Sequence, residues 1–221
     1  MTIYGDSFET REAMIEACRA LNQSGVNQGT SGNISVRVGA DFLITPSGVP
    51  YEGLTPDLIV RLPLDPTQQA APGQMKPSTE WPFHRALLVA KPEMQAVVHA
   101  HPVHCCALAM NRQSIPACHY MVAAFGGTDV PLAEYALFGS DALSDSVTAA
   151  MQERSACLMA NHGAVVCGET LEKAMWRMGE LEALAKSYIA SLSIGTPHIL
   201  SDAEMAEVLE AFAGYGPARE S

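Results

Sequence analysis

Hydrophobic and polar positions alternate along this chain with two periods. Over residues 7–23, Met14, Cys18 and Leu21 recur at helical spacing with charged residues between them, so an amphipathic helix is predicted that Gly25 can end. After a turn cluster, Ile34, Val36 and Val38 alternate with polar residues, the period of a half-buried strand. Residues 41–54 read as a short strand broken by Pro and Gly, residues 57–64 as another strand, and residues 65–74 as an exposed turn or hairpin. A helix then begins with Ser78 or Thr79 as N-cap and runs to Ala90, with Pro82 tolerable because it lies near the first turn. Residues 95–101 begin a strand that turns at Pro102 into a helix over 103–111. Residues 118–127 and 130–139 read as strand-and-turn material, and 140–154 as a capped helix. Residues 155–168 hold two short buried strands around a His-Gly turn, in which the glycine lets the backbone turn sharply. The longest helix spans 170–192, and a last one spans 201–216 with an acidic start and a Gly stop. No internal repeat or linker interrupts the pattern, so one mixed α/β domain over residues 1–221 is expected.

Composition narrows the partners. A chain of 221 residues buries roughly 70% of the surface its unfolded form exposes, so it needs no disulfide staples. Acidic residues outnumber basic ones 24 to 13, which gives a net charge of −11 and argues against nucleic acid or anionic membrane as partners. An anionic substrate remains open, because a buried cation and backbone N–H groups hold phosphate whatever the global charge. The cysteines at 18, 105, 106, 118, 157 and 167 form no CxxC pair, so free thiols in a reducing cytoplasm are expected. The N-terminal residues carry no basic n-region and no apolar h-region, and no apolar run reaches 18 residues, so neither a signal peptide nor a membrane span is expected.

The candidate chemistry centres on histidines. His99 and His101 stand two apart at the end of an apolar strand, so both imidazoles share one face and can bind one cation. Two unrelated histidines would look the same. His162, in an Asn-His-Gly turn, is a third candidate, and alone it reads equally well as a satisfied core histidine. Together the three would make a three-histidine site with an open position, the catalytic pattern of zinc. Glu80 reads either as a carboxylate favoured at a helix N-terminus or as one beside the metal that binds it or moves a proton. His84, one helical turn later, is placed to orient a neighbouring group, and His104, His119 and His198 are weaker candidates. Thr30–Asn33, Thr45–Gly48 and Ser78–Thr79 each offer hydroxyls and backbone N–H groups beside a glycine or a helix start, as phosphate cradles do. None of the four lysines lies in an apolar strand where desolvation would suit it to Schiff-base work, so carbanion stabilisation falls to the metal.

These pieces fall in a recognisable order. The segments NQGTSGNISVR, LITPSGVPYEGL, KPSTEWPFH, AVVHAHPVHC, IPACHYMVAAFGG, YALFG, NHGAVVC and SDAEMAEVLEAFAGYG resemble the class II aldolase/adducin family over nearly the whole chain. The resemblance implies a three-layer α/β/α sandwich around a mixed, largely antiparallel sheet, assembled as a homotetramer with active sites between subunits. It implies zinc on His99, His101 and His162, with Glu80 as a fourth ligand and as the acid/base. It implies phosphate binding by Gly32, Asn33, Ser47, Gly48, Ser78 and Thr79. The family has Thr where Ser47 stands and Ser where Thr79 stands, and both changes keep a hydroxyl. Tyr120 matches a tyrosine that reaches an adjacent subunit's site and assists the aldehyde oxygen, while Phe138 and Tyr215 match residues that position the aldehyde part. An epimerase branch carries Asp at the position of Glu80, so Glu80 favours the aldolases.

The implied reaction is reversible cleavage of a ketose 1-phosphate into dihydroxyacetone phosphate and a small aldehyde. L-Fuculose 1-phosphate would give lactaldehyde; 5-deoxyribulose or 5-methylthioribulose 1-phosphate would give acetaldehyde or methylthioacetaldehyde. Two other readings use the same scaffold. One is a dehydratase acting on methylthioribulose 1-phosphate, the other a non-catalytic adducin-like module, which would copurify without stoichiometric zinc.

Overall fold

The computed structural model describes residues 3–213. In chain order the elements are α1 (Phe8–Gln23), β1 (Asn33–Val38), β2 (Asp41–Ile44), β3 (Val60–Pro63), α2 (Trp81–Ala90), β4 (Ala96–Ala100), α3 (Val103–Met110), β5 (Leu132–Ala133), α4 (Asp141–Ala150), β6 (Ala156–Met159), β7 (Gly163–Gly168), α5 (Leu171–Ile194) and α6 (Asp202–Ala213). The strands make one sheet in the order β3-β2-β1-β4-β7-β6-β5. Every pairing is antiparallel except that of β5 with β6.

The period-2 pattern decides which face each side chain serves. Ile34, Val36 and Val38 of β1, Val98 of β4 and Val166 of β7 point into one core, which α1, α3 and α5 close. Phe42, Ile44, Val97, Val165 and Cys167 point into a second core on the opposite face, which α2 and α4 cover. Helices on both faces explain why β4 is buried at all five positions, and they make the three-layer α/β/α sandwich that the sequence implies. On the α2 side, β1 offers Asn33 and Ser35 where β2 offers Ile44, and β4 offers His99. Asn33 lies directly opposite His99 in the β1–β4 register, so the sheet itself carries a polar spot into an otherwise apolar face.

Three local expectations are corrected. Helix α2 is preceded by Glu80, not Ser78 or Thr79, and the Glu80 side chain makes no cap bond; instead Ser78 Oγ accepts from the Glu80 N–H at 3.3 Å. Pro82 falls in the first turn, as its missing donor requires. Residues Tyr120–Phe125 form a 3₁₀ turn rather than a strand, because His119 Nδ1 accepts from the Met121 N–H and Gly126 takes a left-handed conformation to end it. Helix α4 stops at Ala150, four residues short of the predicted end, and α6 is described as far as Ala213; Tyr215 and the glycine stop lie outside the described residues. All six cysteines are free.

Candidate metal centre and cleft

Three different elements bring the histidines together. His99 is the next-to-last residue of β4, on the α2 face, and His101 follows the strand just before Pro102 opens α3. His162 sits in the β6–β7 hairpin, where Asn161 takes a left-handed conformation (φ 53°) and the His162 N–H bonds Met159 O. The sharp turn therefore falls on Asn161, and Gly163 serves a different need. A Cβ on Gly163 would stand 2.5 Å from Ala100 O and 2.8 Å from His101 Cδ2, so only glycine lets the hairpin approach β4 this closely.

The ring geometry is that of a ligand set. One nitrogen of each of His99, His101 and His162 lies within 4.8 Å of the others, and the three rings meet edge-on with centroids 4.9–5.0 Å apart. His99 Nδ1 lies 2.9 Å from Ala164 O, which can only accept, so the proton is on Nδ1 and Nε2 presents a bare lone pair to the centre. That Nε2 stands 3.1 Å from His101 Nε2 and 3.2 Å from Glu80 Oε2. Burial lowers the pKa of His99 and pushes that of His101 down to about 4, so both rings are neutral at neutral pH.

Glu80 completes the centre from the start of α2. Its carboxyl is buried, which disfavours its charge, and the hydrogen bond from the Asn33 amide favours it. Asn33 Nδ2 donates to Oε2 at 2.8 Å. Oε1 lies 3.1 Å from His162 Nε2 without hydrogen-bonding geometry and has no other partner. No Lys or Arg lines the cleft among the described residues. A buried carboxylate facing neutral imidazole lone pairs, with no cationic side chain beside it, is a donor set that a divalent cation satisfies.

Behind Glu80 the chain of bonds continues. His84 Nε2 meets Asn33 Oδ1 at 2.5 Å, and Ser35 Oγ meets His84 Nδ1 at 2.8 Å. His84 is fully buried, and burial pushes its pKa down to about 3.

The metal centre forms the floor of a cleft of about 480 Å³. Its walls are Thr30–Asn33, Pro46–Gly48 and Ser78–Glu80 together with Tyr135, Ala136 and Phe138. The hydroxyl-bearing loops are held together by backbone bonds from Ser47 N to Lys76 O and from Ser78 N to Thr45 O. Gly32 packs against β4, where a Cβ would stand 2.8 Å from His99 O. Gly48 supplies a left-handed turn (φ 73°).

Most of the sequence-predicted residues thus converge. Gly32, Asn33, Ser47, Gly48, Ser78, Thr79, Glu80, His101, His162 and Phe138 line the cleft, and His99 lies buried beneath it. Tyr120 does not; its half-exposed ring stacks on His119 and tilts against Phe212, away from its own chain's cleft. His104 is instead tied to Glu182, which accepts from its backbone N–H and from its Nδ1. Sequence reading missed Asn27, whose Oδ1 accepts from the His101 N–H and from Ser31 Oγ and so ties the first loop to the metal centre. It also missed Tyr135 and Asn161 in the walls. The left-handed preference of Asn was the one local signal for Asn161.

Residues 12–189 match the family model described as the class II aldolase and adducin N-terminal domain. The chain is 46% identical over 204 residues to an L-fuculose phosphate aldolase of Escherichia coli (strain K12), covering 92% of this chain and 94% of that one. It is 45% identical over 207 residues to a 5-methylthioribulose-1-phosphate/5-deoxyribulose-1-phosphate aldolase of Escherichia coli O45:K1, covering 93% and 95%. Among solved structures, an L-fuculose 1-phosphate aldolase superposes with a TM-score of 0.89 at 32% identity, covering 94% of this chain and 97% of that one.

Proposed function

The chain belongs to the class II aldolase and adducin family, and from that premise we propose that it is a zinc-dependent aldolase, one domain over residues 1–221, that cleaves a ketose 1-phosphate reversibly into dihydroxyacetone phosphate and a small aldehyde. The observation that carries the reading is the meeting of three imidazoles and the Glu80 carboxylate at the floor of a cleft walled by hydroxyl-bearing loops. His99, His101 and His162 hold the metal, with Glu80 as fourth ligand before substrate enters. Three imidazole ligands with an open position favour zinc over harder cations. A bound zinc supplies Lewis-acid stabilisation of the negative charge that carbon–carbon cleavage leaves behind.

The chain's own residues do the rest. Hydroxyls of Ser47, Ser78 and Thr79 and the backbone at Gly32, Asn33 and Gly48 hold the phosphate at the start of α2, where the helix dipole favours an anion. In cleavage the C4 hydroxyl passes its proton by way of Tyr120 to solvent, the C3–C4 bond breaks to release the aldehyde, and Glu80, having taken up a proton from solvent, delivers it to C3; in synthesis each proton moves the opposite way. Tyr120 handles the C4-oxygen proton from across a subunit boundary, a role supported by its half-exposed ring and its distance from its own cleft. That arrangement requires an oligomer, and the family resemblance makes it a homotetramer. Phe138 and Tyr215 position the aldehyde. No helix among the described residues is long and apolar enough to cross a membrane, and the enzyme works in the cytoplasm.

The aldehyde is lactaldehyde, acetaldehyde or methylthioacetaldehyde, since relatives acting on each ketose phosphate are nearly equally similar. Incubation of the zinc-loaded protein with dihydroxyacetone phosphate and each aldehyde tests the proposal. Condensation is expected, and the relative kcat/KM values rank the substrates. A protein that holds its zinc and condenses none of them overturns the aldolase reading.

A further inference from the structure

The bonds behind Glu80 can be assigned a direction. Asn33 must present its NH₂ to the Glu80 carboxylate, which only accepts. Its Oδ1 therefore faces His84, and His84 Nε2 must carry the proton that meets it. His84 is neutral, so its Nδ1 is bare and accepts from the Ser35 hydroxyl. Each link forces the next, and all three side chains are buried. The elements explain the alignment: Ser35 and Asn33 lie two apart on one face of β1, and His84 lies one turn after Glu80 on the face that α2 turns to the sheet. Ser35 and His84 touch neither the cleft nor the metal centre, yet β1 places a hydroxyl and a carboxamide where an apolar pair would pack against α2 at lower desolvation cost.

We propose that Ser35, His84 and Asn33 form a one-directional hydrogen-bond relay that pins Oε2 of Glu80 and so reserves Oε1, which lacks a hydrogen-bond partner, for proton transfer. They are positioning residues, acting on substrate only through Glu80. Removing the Ser35 hydroxyl frees His84 to move its proton to Nδ1. Asn33 then loses its anchor and can turn its carbonyl toward Glu80, an acceptor facing an acceptor. The carboxylate loses its fixed orientation while the histidine ligands and the phosphate loops stay in place. The proposal rests on the role given to Glu80 above.

The test has two arms. In the first, ¹⁵N NMR of the imidazoles in the wild-type, zinc-loaded chain reads the His84 tautomer. Proton on Nε2 is expected; proton on Nδ1, or a doubly protonated ring near neutral pH, overturns the relay. In the second, Ser35→Ala is expected to lower kcat for condensation about tenfold, the scale of losing an outer partner of a metal site, with KM for dihydroxyacetone phosphate and zinc content unchanged. Ser35→Thr, which keeps the hydroxyl, restores kcat. Wild-type kcat in Ser35→Ala, or a loss that falls on KM or zinc instead, contradicts the proposal. A wild-type chain that carries zinc but condenses nothing removes the aldolase reading, and the His84 tautomer then decides the relay alone.

Discussion

The floor and the rim of the cleft are built on opposite principles. At the floor, His99 is 0% exposed and Glu80 5%, and each side chain is held by a second one or by backbone. At the rim, Tyr135 is 56% exposed and Phe138 61%, on a loop between β5 and α4 with little of its own secondary structure. The floor holds each group in place by burial and hydrogen bonds and therefore fixes the reaction. The rim offers apolar surface without a buried polar partner, and apolar pockets separate substrates that differ by a methylene or a hydroxyl only weakly. One architecture can thus keep the carbon–carbon chemistry constant while the aldehyde varies, consistent with similar relatives that carry different substrate names.

Substitutions at the two ends should part accordingly. The largest effect is expected at the floor. His162→Ala removes a ligand from a hairpin whose fold depends on Asn161 and Gly163 rather than on the ring, so the chain should fold and lose metal affinity by more than about 100-fold, beyond the cost of losing an outer partner. Metal content after dialysis checks it; tight stoichiometric metal would place the third ligand elsewhere. Gly163→Ala should act in the same direction without touching a ligand, because the new Cβ meets Ala100 O at 2.5 Å and drives the hairpin from β4. Lower zinc content together with a lower melting temperature is expected.

At the rim, Phe138→Ala should change the ratio of kcat/KM between aldehydes by about 10-fold, within the range that one apolar contact commands, while zinc content stays at one per subunit. An equal loss for every aldehyde would move Phe138 from selectivity to general support. The smallest effect belongs to the hydroxyl-bearing loops, the proposed phosphate site. Ser47→Ala should raise KM for dihydroxyacetone phosphate about fivefold, the worth of one hydrogen bond of about 1 kcal/mol, because neighbouring hydroxyls and N–H groups share the load.

The same contrast explains what could be read from sequence. The two-residue spacing of His99 and His101 and the hydroxyl-Gly clusters are local patterns, and the structure gathers them at one cleft. So do the alternating strands and the amphipathic helices that make the three layers. Glu80 was legible only as a choice between cap and ligand; the structure puts it at the cap position with its side chain turned inward. The Ser35–His84–Asn33 chain was not legible, because it depends on the β1–β4 register and on which way one carboxamide points. The 3₁₀ turn at Tyr120 was missed because a short run of apolar and small residues suits a strand and a tight helix equally.

The central claim is that Glu80 moves the proton at C3 whatever aldehyde is present. It is tested most directly by solvent deuterium exchange into dihydroxyacetone phosphate with no aldehyde added, comparing zinc-loaded wild type with Glu80→Gln at matched zinc content. Exchange by the wild type is expected, with a loss of about 10²–10⁴-fold in the variant, the range for a general acid–base group. Exchange at the wild-type rate in Glu80→Gln would contradict it.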